Sequence, residues 1–195
     1  MDHTFFIREY KDILPIKSLV SVIKFLNTVS FESAEVINTS NVNGGEVNKN
    51  VRNTEQYAFT SNNASMTNVH YWNLLCNRFG NIINKYKEDC LTSLPKAAEA
   101  ILDIIALRYE KNGFYVPHVD HAMTIPRTLS IILFLNNDYE GGDLVFVDPT
   151  NTEKVLTRIK TEPNKLIIWP SNFIYPHGVE PVTKGIRYSI VCWAL

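Results

Sequence analysis

His118 and Asp120 stand two residues apart in the stretch Tyr109-Glu-Lys-Asn-Gly-Phe-Tyr-Val-Pro-His118-Val-Asp120. A second imidazole, His177, opens the distant segment His177-Gly-Val-Glu-Pro-Val-Thr-Lys-Gly-Ile-Arg187-Tyr-Ser189. Residues two apart on an extended chain project from one face, so His118 and Asp120 can act on one point. His177 joins them only if the fold sets two remote strands side by side. Two imidazoles and one carboxylate are the ligand set that holds a non-haem Fe(II) on one side and leaves coordination positions open on the other. His121 is out of phase with this pair, and His70 lies on a helical stretch; both are expected to be ordinary side chains.

The chain that must position these residues has 195 residues, 45% of them apolar and 20% charged. That balance suits one soluble domain, spanning 1–195, with a sizeable core. A formal net charge of −1 gives no excess of cations to neutralise phosphates, so no nucleic-acid partner is expected. Cys76, Cys90 and Cys192 form neither a C-x-x-C pair nor a zinc-finger spacing, which fits a reduced, intracellular protein. The first residues, Met-Asp-His-Thr-Phe-Phe-Ile-Arg-Glu-Tyr, lack a basic segment followed by an apolar one, and no run of about 18 apolar residues occurs. The expectation is a cytoplasmic protein with no segment removed and no membrane partner.

Pro15 followed by Ile16, Leu19, Val20, Ile23 and Leu26 predicts a helix over 15–28. From 38 to 65 the chain is crowded with Asn, Ser, Thr and Gly, including Asn43-Gly44-Gly45, and reads as a long loop. Trp72, Leu75, Phe79, Ile82, Ile83 and Tyr86 predict a second amphipathic helix over 65–87 that tolerates Gly80. After Pro95, the Ala97-Ala98-Glu99-Ala100 run reads as helix or turn, giving way to strand from Ile101. Short β-rich runs follow over 127–135, 144–147, 155–159, 166–169 and 186–193, spaced as in a sandwich, jelly roll or barrel. The fold class is therefore α+β: residues 1–100 supply helical support and a long loop, and 101–195 form a β core carrying the site. The helices are expected on the outside of one sheet, leaving the interior of the β unit for a ligand.

Five blocks give the H-x-D pair its context: Gly113-Phe-Tyr-Val-Pro-His-Val-Asp120, Arg127-Thr-Leu-Ser-Ile-Ile-Leu-Phe-Leu-Asn136, Tyr139-Glu-Gly-Gly-Asp-Leu-Val-Phe146, Pro176-His177-Gly-Val179 and Gly185-Ile-Arg187-Tyr-Ser189. From about Ile101 onward these blocks resemble the 2-oxoglutarate- and Fe(II)-dependent oxygenases of the prolyl 4-hydroxylase-like branch. The N-terminal half is similar only through a helix and a loop with Val51-Arg52-Asn53. The resemblance implies a double-stranded β-helix, a distorted jelly roll, in agreement with the strand pattern. It implies His118, Asp120 and His177 as iron ligands, leaving three positions for a bidentate 2-oxo acid and for O2. Arg187 matches the residue that holds the far carboxylate of 2-oxoglutarate, a task suited to a planar guanidinium. Ser189 and Tyr109 match further donors to that carboxylate. Phe134 departs from the pattern, since relatives often place a tyrosine two residues before the Leu-Asn pair, whereas this chain has Phe134 just before Leu135-Asn136. Losing that hydroxyl costs on the order of 1.5–3 kcal/mol of co-substrate binding, unless Tyr115 compensates. Arg127 and Trp193 match positions that line the substrate entrance in peptide-hydroxylating relatives.

The activity so implied is hydroxylation of a C–H bond, with 2-oxoglutarate converted to succinate and CO2 and ascorbate serving as reductant. The expected substrate is a prolyl residue in a peptide or protein. Hydroxylation of a free amino acid or other small molecule is the alternative with the same chemistry, and a non-catalytic β-sandwich binding module with a degenerate metal site is the alternative from another class. Nucleic-acid demethylation is disfavoured because that branch carries R-x5-R, and the residue six beyond Arg187 is Trp193. Gly141-Gly142, Gly178 and Gly185 belong to no phosphate-binding spacing and are expected to serve turns and bends.

Overall fold

The computed structural model describes residues 3–37, 45–91, 100–122 and 126–195. A 3-10 turn at His3–Phe6 leads into β1 (Arg8–Tyr10) and α1 (Ile16–Leu26), followed by β2 (Glu32–Ser33), β3 (Val36–Ile37), β4 (Gly45–Glu46), β5 (Arg52–Asn53), β6 (Glu55–Phe59) and the long α2 (Met66–Cys90). Then come β7 (Ile101–Tyr109), β8 (Phe114–His118), β9 (Leu129–Phe134), β10 (Glu140–Gly141), β11 (Leu144–Asp148), β12 (Asn151–Ile159), β13 (Leu166–Pro170), β14 (His177–Val179), β15 (Val182–Lys184) and β16 (Arg187–Ala194).

Seven strands in the order β1-β13-β9-β16-β7-β6-β2 make the larger sheet, and five in the order β12-β11-β14-β8-β5 make the smaller. Along the chain β7, β9, β13 and β16 of the larger sheet alternate with β8, the β11/β12 pair and β14 of the smaller one. This alternation winds the chain into the expected double-stranded β-helix, with two antiparallel sheets face to face. β9 is buried along its whole length because both of its faces are covered. Leu129, Ile131 and Leu133 face the helices, while Ile132 and Phe134 join Phe146, Ile167 and Trp169 between the sheets.

The helices pack on the outside of the larger sheet, as the sequence leads one to expect. Ser65 caps α2 by accepting a hydrogen bond from the Asn68 amide at 3.4 Å, satisfying one of the orphan donors of the first turn. Tyr71, Leu75, Phe79, Ile83 and Tyr86 form its buried stripe, each large apolar side chain contributing roughly 1.5–3 kcal/mol by leaving water. In α1 the buried stripe is Leu19, Val22 and Leu26. Ile16 and Val20, expected on that stripe, are exposed, because the helix turns its Leu19–Leu26 face onto the sheet.

The reading of 38–65 as one loop needs correction. Residues 38–44 lie outside the described residues, as does the Ala97-Ala98-Glu99 run, but 45–59 contains three strands. β6 extends the larger sheet by pairing with β7. It carries Phe59 and Tyr57 onto the helix-side core and turns Gln56 toward the interior cavity. An ion pair between Glu55 and Arg108 and a 2.8 Å hydrogen bond from Thr54 Oγ1 to the Arg108 carbonyl hold its start. The Asn-rich surroundings mask its period-two pattern. At the other edge, the buried Asn164 accepts from the Leu14 amide at 2.8 Å and donates to the Leu14 carbonyl at 2.7 Å, tying the N-terminal segment to the β-core across 150 residues of sequence.

Candidate metal centre

β8 ends on His118 and β14 begins on His177, and the antiparallel register sets these two residues directly opposite one another, with ring centroids 4.5 Å apart. Gly178 allows the close approach, because a Cβ there would lie 2.9 Å from the Tyr115 carbonyl oxygen. Asp120 follows His118 just beyond the strand end. Its Oδ1 lies 3.6 Å from His118 Nε2 and its Oδ2 lies 3.4 Å from His177 Nε2. One donor atom from each of the three residues falls within 4.8 Å of the others.

The two imidazoles are oriented by the same device. His118 Nδ1 lies 2.9 Å from the Val116 carbonyl and His177 Nδ1 lies 3.1 Å from the Tyr175 carbonyl, each two residues upstream. A carbonyl only accepts, so each Nδ1 carries the proton and each Nε2 presents a lone pair toward Asp120. Burial pushes His177 down to about 4, so at neutral pH it is the uncharged ring that a metal requires. Burial also pushes the Asp120 carboxyl up, but the His177 and His118 imidazoles and a hydrogen bond from Ser130 outweigh it and hold it well below the usual carboxylate range. A buried anion faced by two neutral nitrogen donors fits a divalent cation.

Arg187, at the start of β16, pairs in register with Tyr109 on β7. Its side chain is fully buried, with Nη1 donating to Ser189 Oγ at 2.9 Å while Nε and Nη2 have no partner among the described residues. Its guanidinium carbon lies 4.9 Å from the Tyr109 ring centroid and 5.3 Å from that of Phe134. A buried cation with two idle, parallel donors is matched by a carboxylate, so this corner fits the far end of a dicarboxylate such as 2-oxoglutarate. Gly142 makes room for it: at φ 67°, a Cβ would meet Arg187 Cδ at 3.0 Å.

Tyr115 stacks on His118 at 3.6 Å between centroids, and the Arg52 guanidinium carbon lies 4.8 Å from the same phenol ring. Burial pushes the Tyr115 hydroxyl up to about 12, leaving it a neutral donor. Arg127 and Trp193 are brought together, the guanidinium carbon 3.7 Å from the indole centroid. Arg127 Nη1 also reaches the Asp120 carbonyl at 3.5 Å. His118, Asp120, His177, Tyr109, Tyr115, Arg127 and Trp193 line a cavity of about 660 Å³ between the sheets, as do Glu35, Glu46, Arg52 and Gln56, whereas Arg187 and Ser189 lie behind its wall. His121 also borders the cavity, but its Nδ1 bonds the Arg127 carbonyl and it is not part of the three-residue cluster.

Three participants escaped the sequence reading. Ser130 donates to Asp120, Ser171 bonds Ser130, and Trp169 packs edge-on to His177 at 4.8 Å with its buried Nε1 unpartnered among the described residues. Ser130 carried a signal, being the one polar residue in a strand buried on both faces. Ser171 carried none.

Comparison with known proteins agrees with this geometry. Residues 104–195 match the 2OG-Fe(II) oxygenase superfamily. A PKHD-type hydroxylase of Synechococcus sp. (strain JA-2-3B'a(2-13)) is 31% identical over 120 residues, 57% of this chain and 51% of that protein. Human prolyl 3-hydroxylase 3 is 39% identical over 67 residues, 34% of this chain and 9% of that protein. The chain thus spans about half the length of the first of these relatives and about a tenth of the second. Among solved structures, a Trichoplax adhaerens prolyl hydroxylase in complex with a hypoxia inducible factor oxygen degradation domain peptide superposes with a TM-score of 0.74 at 17% identity, covering 98% of this chain and 84% of that one. A Pseudomonas putida prolyl-4-hydroxylase superposes with a TM-score of 0.69 at 17% identity, covering 97% and 92%. The family's sequence is thus matched by β7 to β16, the half of the chain that carries the His-Asp-His cluster, and the two-sheet fold around that cluster is the one these solved structures share.

Proposed function

We propose that the protein is a 2-oxoglutarate- and Fe(II)-dependent dioxygenase that hydroxylates a prolyl residue in a peptide or protein. The observation that carries this reading is the His118, Asp120 and His177 cluster, whose two Nε2 lone pairs and one carboxylate converge in a cavity between the sheets. In this reading those three side chains hold the iron, and Arg187, with Ser189 and Tyr109 beside it, holds the far carboxylate of 2-oxoglutarate. When bound, the iron and co-substrate supply the oxidative decarboxylation that inserts one oxygen atom of O2 into a substrate C–H bond and releases succinate and CO2.

The protein's own residues bind, orient and exclude water. The Val116 and Tyr175 carbonyls fix the imidazole tautomers. Arg187 presents two donors without a competing acceptor among the described residues. Leu107, Ile132, Leu144, Val179 and Val191 make the cavity wall apolar, which keeps the reacting centre dry and strengthens its electrostatic contacts. Tyr115, Arg52, Arg127 and Trp193 form the mouth, an arrangement of aromatic faces and cations suited to an extended backbone with its carbonyls and an aliphatic ring. The hydroxylase relatives, and a neighbour solved with a peptide, support a polypeptide substrate.

The test is incubation with Fe(II), 2-oxoglutarate and ascorbate against proline-containing peptides, followed by mass spectrometry. Addition of one oxygen atom on proline, with matching succinate, is the expected result. Substrate-independent succinate formation with no modified peptide, while a free amino acid is hydroxylated, would move the assignment to the small-molecule reading.

A further inference from the structure

Asp120 is held by a pair of hydroxyls that the metal-ligand motif does not include. Ser130 Oγ lies 2.6 Å from Asp120 Oδ2, and Ser171 Oγ lies 2.7 Å from Ser130 Oγ. Both serines are buried, each 1% exposed. The direction of the hydrogens follows from valence. An ionised carboxylate only accepts, so Ser130 must donate its single proton to Asp120, and the proton between the two serines must then come from Ser171. The chain runs Ser171 to Ser130 to Asp120, with each donor polarised by the next in a dry environment.

Each serine is fixed by its backbone. Ser130 sits on the inner face of β9. Ser171 follows β13, donating its amide to the Thr128 carbonyl and accepting at its own carbonyl from the His121 amide, each at 3.0 Å. The same short segment therefore grips the Asp120 loop from the backbone as well as through the side chains. Among the described residues Asp120 Oδ1 has no such partner: Arg127 Nη1 is 4.0 Å away, beyond hydrogen-bond reach, and His118 Nε2 is 3.6 Å away.

Resting on the metal reading above, we propose that Ser130 and Ser171 are positioning residues that keep Asp120 a one-oxygen ligand. Oδ2 is committed to the serine relay and Oδ1 alone is left to the metal. A carboxylate free to bind through both oxygens would fill a coordination position that a bidentate co-substrate and dioxygen need between them. The relay thus protects the open side of the centre, and it acts on the metal through Asp120 without touching it.

The experiment is anaerobic titration of the metal-free full chain with Co(II), read by its visible d–d absorption, for the wild type, Ser130→Ala, Ser130→Thr and Ser171→Ala. Ser130→Ala is expected to weaken Co(II) affinity about 10- to 100-fold, the range for loss of an outer hydrogen bond to a ligand, and to change the absorption spectrum as Oδ2 becomes available to the ion. Ser171→Ala should move both readouts in the same direction by a smaller factor, because Ser130 can still donate. Ser130→Thr, which keeps the hydroxyl, should restore the wild-type spectrum. Wild-type affinity and spectrum in Ser130→Ala overturn the proposal. If that variant does not fold, an unchanged spectrum in Ser171→Ala does so in its place. A wild type that takes up no Co(II) removes the metal reading and the relay with it, whereas uptake by the wild type with an indifferent Ser130→Ala removes the relay alone.

Discussion

His118 and His177 face each other across the β8–β14 pair with their rings 4.5 Å apart, and each directs its Nδ1 to the carbonyl two residues upstream. One antiparallel register thereby sets both the spacing and the tautomers of the two nitrogen donors, and Asp120 completes the set from the loop that leaves β8. The metal-binding power of the site belongs to a strand pairing as much as to three residues.

Removing one donor should therefore abolish tight binding without unfolding the protein. His177→Ala and Asp120→Asn are expected to bind Fe(II) or Co(II) at least about 100-fold more weakly and to form no succinate above background, since one imidazole with one carboxylate, or three neutral ligands without the anion, make a poor divalent site. Titration of each purified variant checks this, with circular dichroism as the control for fold. Turnover by His177→Ala at the wild-type rate would remove His177 from the metal.

The acid sensitivity of the metal-free protein should originate in the same residue. Burial lowers His177 from 6.5 to about 4, so the unfolded chain takes up this proton at a higher pH than the folded one. The stability that comes with the neutral ring is complete above about pH 6.5 and is lost as the pH falls through the window down to about 4. The slope is about 1.4 kcal/mol per pH unit. Urea denaturation of the metal-free protein should accordingly give a lower midpoint at pH 5 than at pH 7.5. His177→Gln should flatten the difference; an equal slope in that variant would place the titrating group elsewhere.

How far these features could be read in the sequence depended on whether their signal was local. The two-residue spacing of His118 and Asp120 is local, and so are the apolar strands and the Leu75, Phe79, Ile83 and Tyr86 stripe, each set by a single period, although the stripe begins at Tyr71 and leaves the expected Trp72 and Ile82 only partly buried. The pairing of His177 with His118 is a matter of long-range register and was reachable only through resemblance. β6 was hidden because Thr54 to Phe59 sits among Asn-rich turns, and its identity as a strand comes from pairing with β7 rather than from its own composition. Ser171 lies in the exposed-looking run Ser171-Asn-Phe-Ile, where nothing but the fold reveals that its hydroxyl is buried against Ser130.

Arg187 offers a test of the co-substrate corner that leaves the metal in place. In Arg187→Lys the charge survives, but the flat two-donor face that Nε and Nη2 present does not. The Michaelis constant for 2-oxoglutarate should rise on the order of 10- to 100-fold, the worth of one or two charge-assisted hydrogen bonds, with metal affinity unchanged. Phe134→Tyr should move the same constant the other way, because it adds a hydroxyl to a ring 5.3 Å from the guanidinium carbon. Equal constants for wild type and Arg187→Lys would assign the corner to another ligand.

The N-terminal segment is secured by one side chain whose loss should be visible as stability alone. Asn164 is buried, has φ 65° and makes both a donated and an accepted bond to Leu14. Alanine there loses both bonds, leaves two backbone groups of Leu14 short of partners and is strained at positive φ, at a combined cost of about 3–5 kcal/mol. Asn164→Gly removes the strain and should recover about 1 kcal/mol of it. Urea unfolding measures the difference, and a loss below 1 kcal/mol in Asn164→Ala would show that the clip is dispensable.

Gly178 tests whether the register itself makes the centre. Its backbone has no need of positive φ, so a substitution there acts through space: a Cβ would lie 2.9 Å from the Tyr115 carbonyl oxygen and 3.1 Å from Pro117 N, both backbone atoms of β8. Backbone cannot swing aside as a flexible side chain would, so Gly178→Ala must push β14 away from β8 at the point where His177 meets His118. The two Nε2 atoms separate while their tautomers, fixed within each strand by the i−2 carbonyls, remain correct. The expected outcome is a folded protein with an intact larger sheet, judged by near-wild-type far-ultraviolet circular dichroism, whose Co(II) affinity falls at least about tenfold for a displacement of a few tenths of an ångström at a site that tolerates little. The stacking of Tyr115 on His118 should loosen with it, which makes tyrosine fluorescence a second readout. Metal affinity preserved in Gly178→Ala would mean that the Asp120 loop, rather than the strand pairing, decides the geometry of the centre.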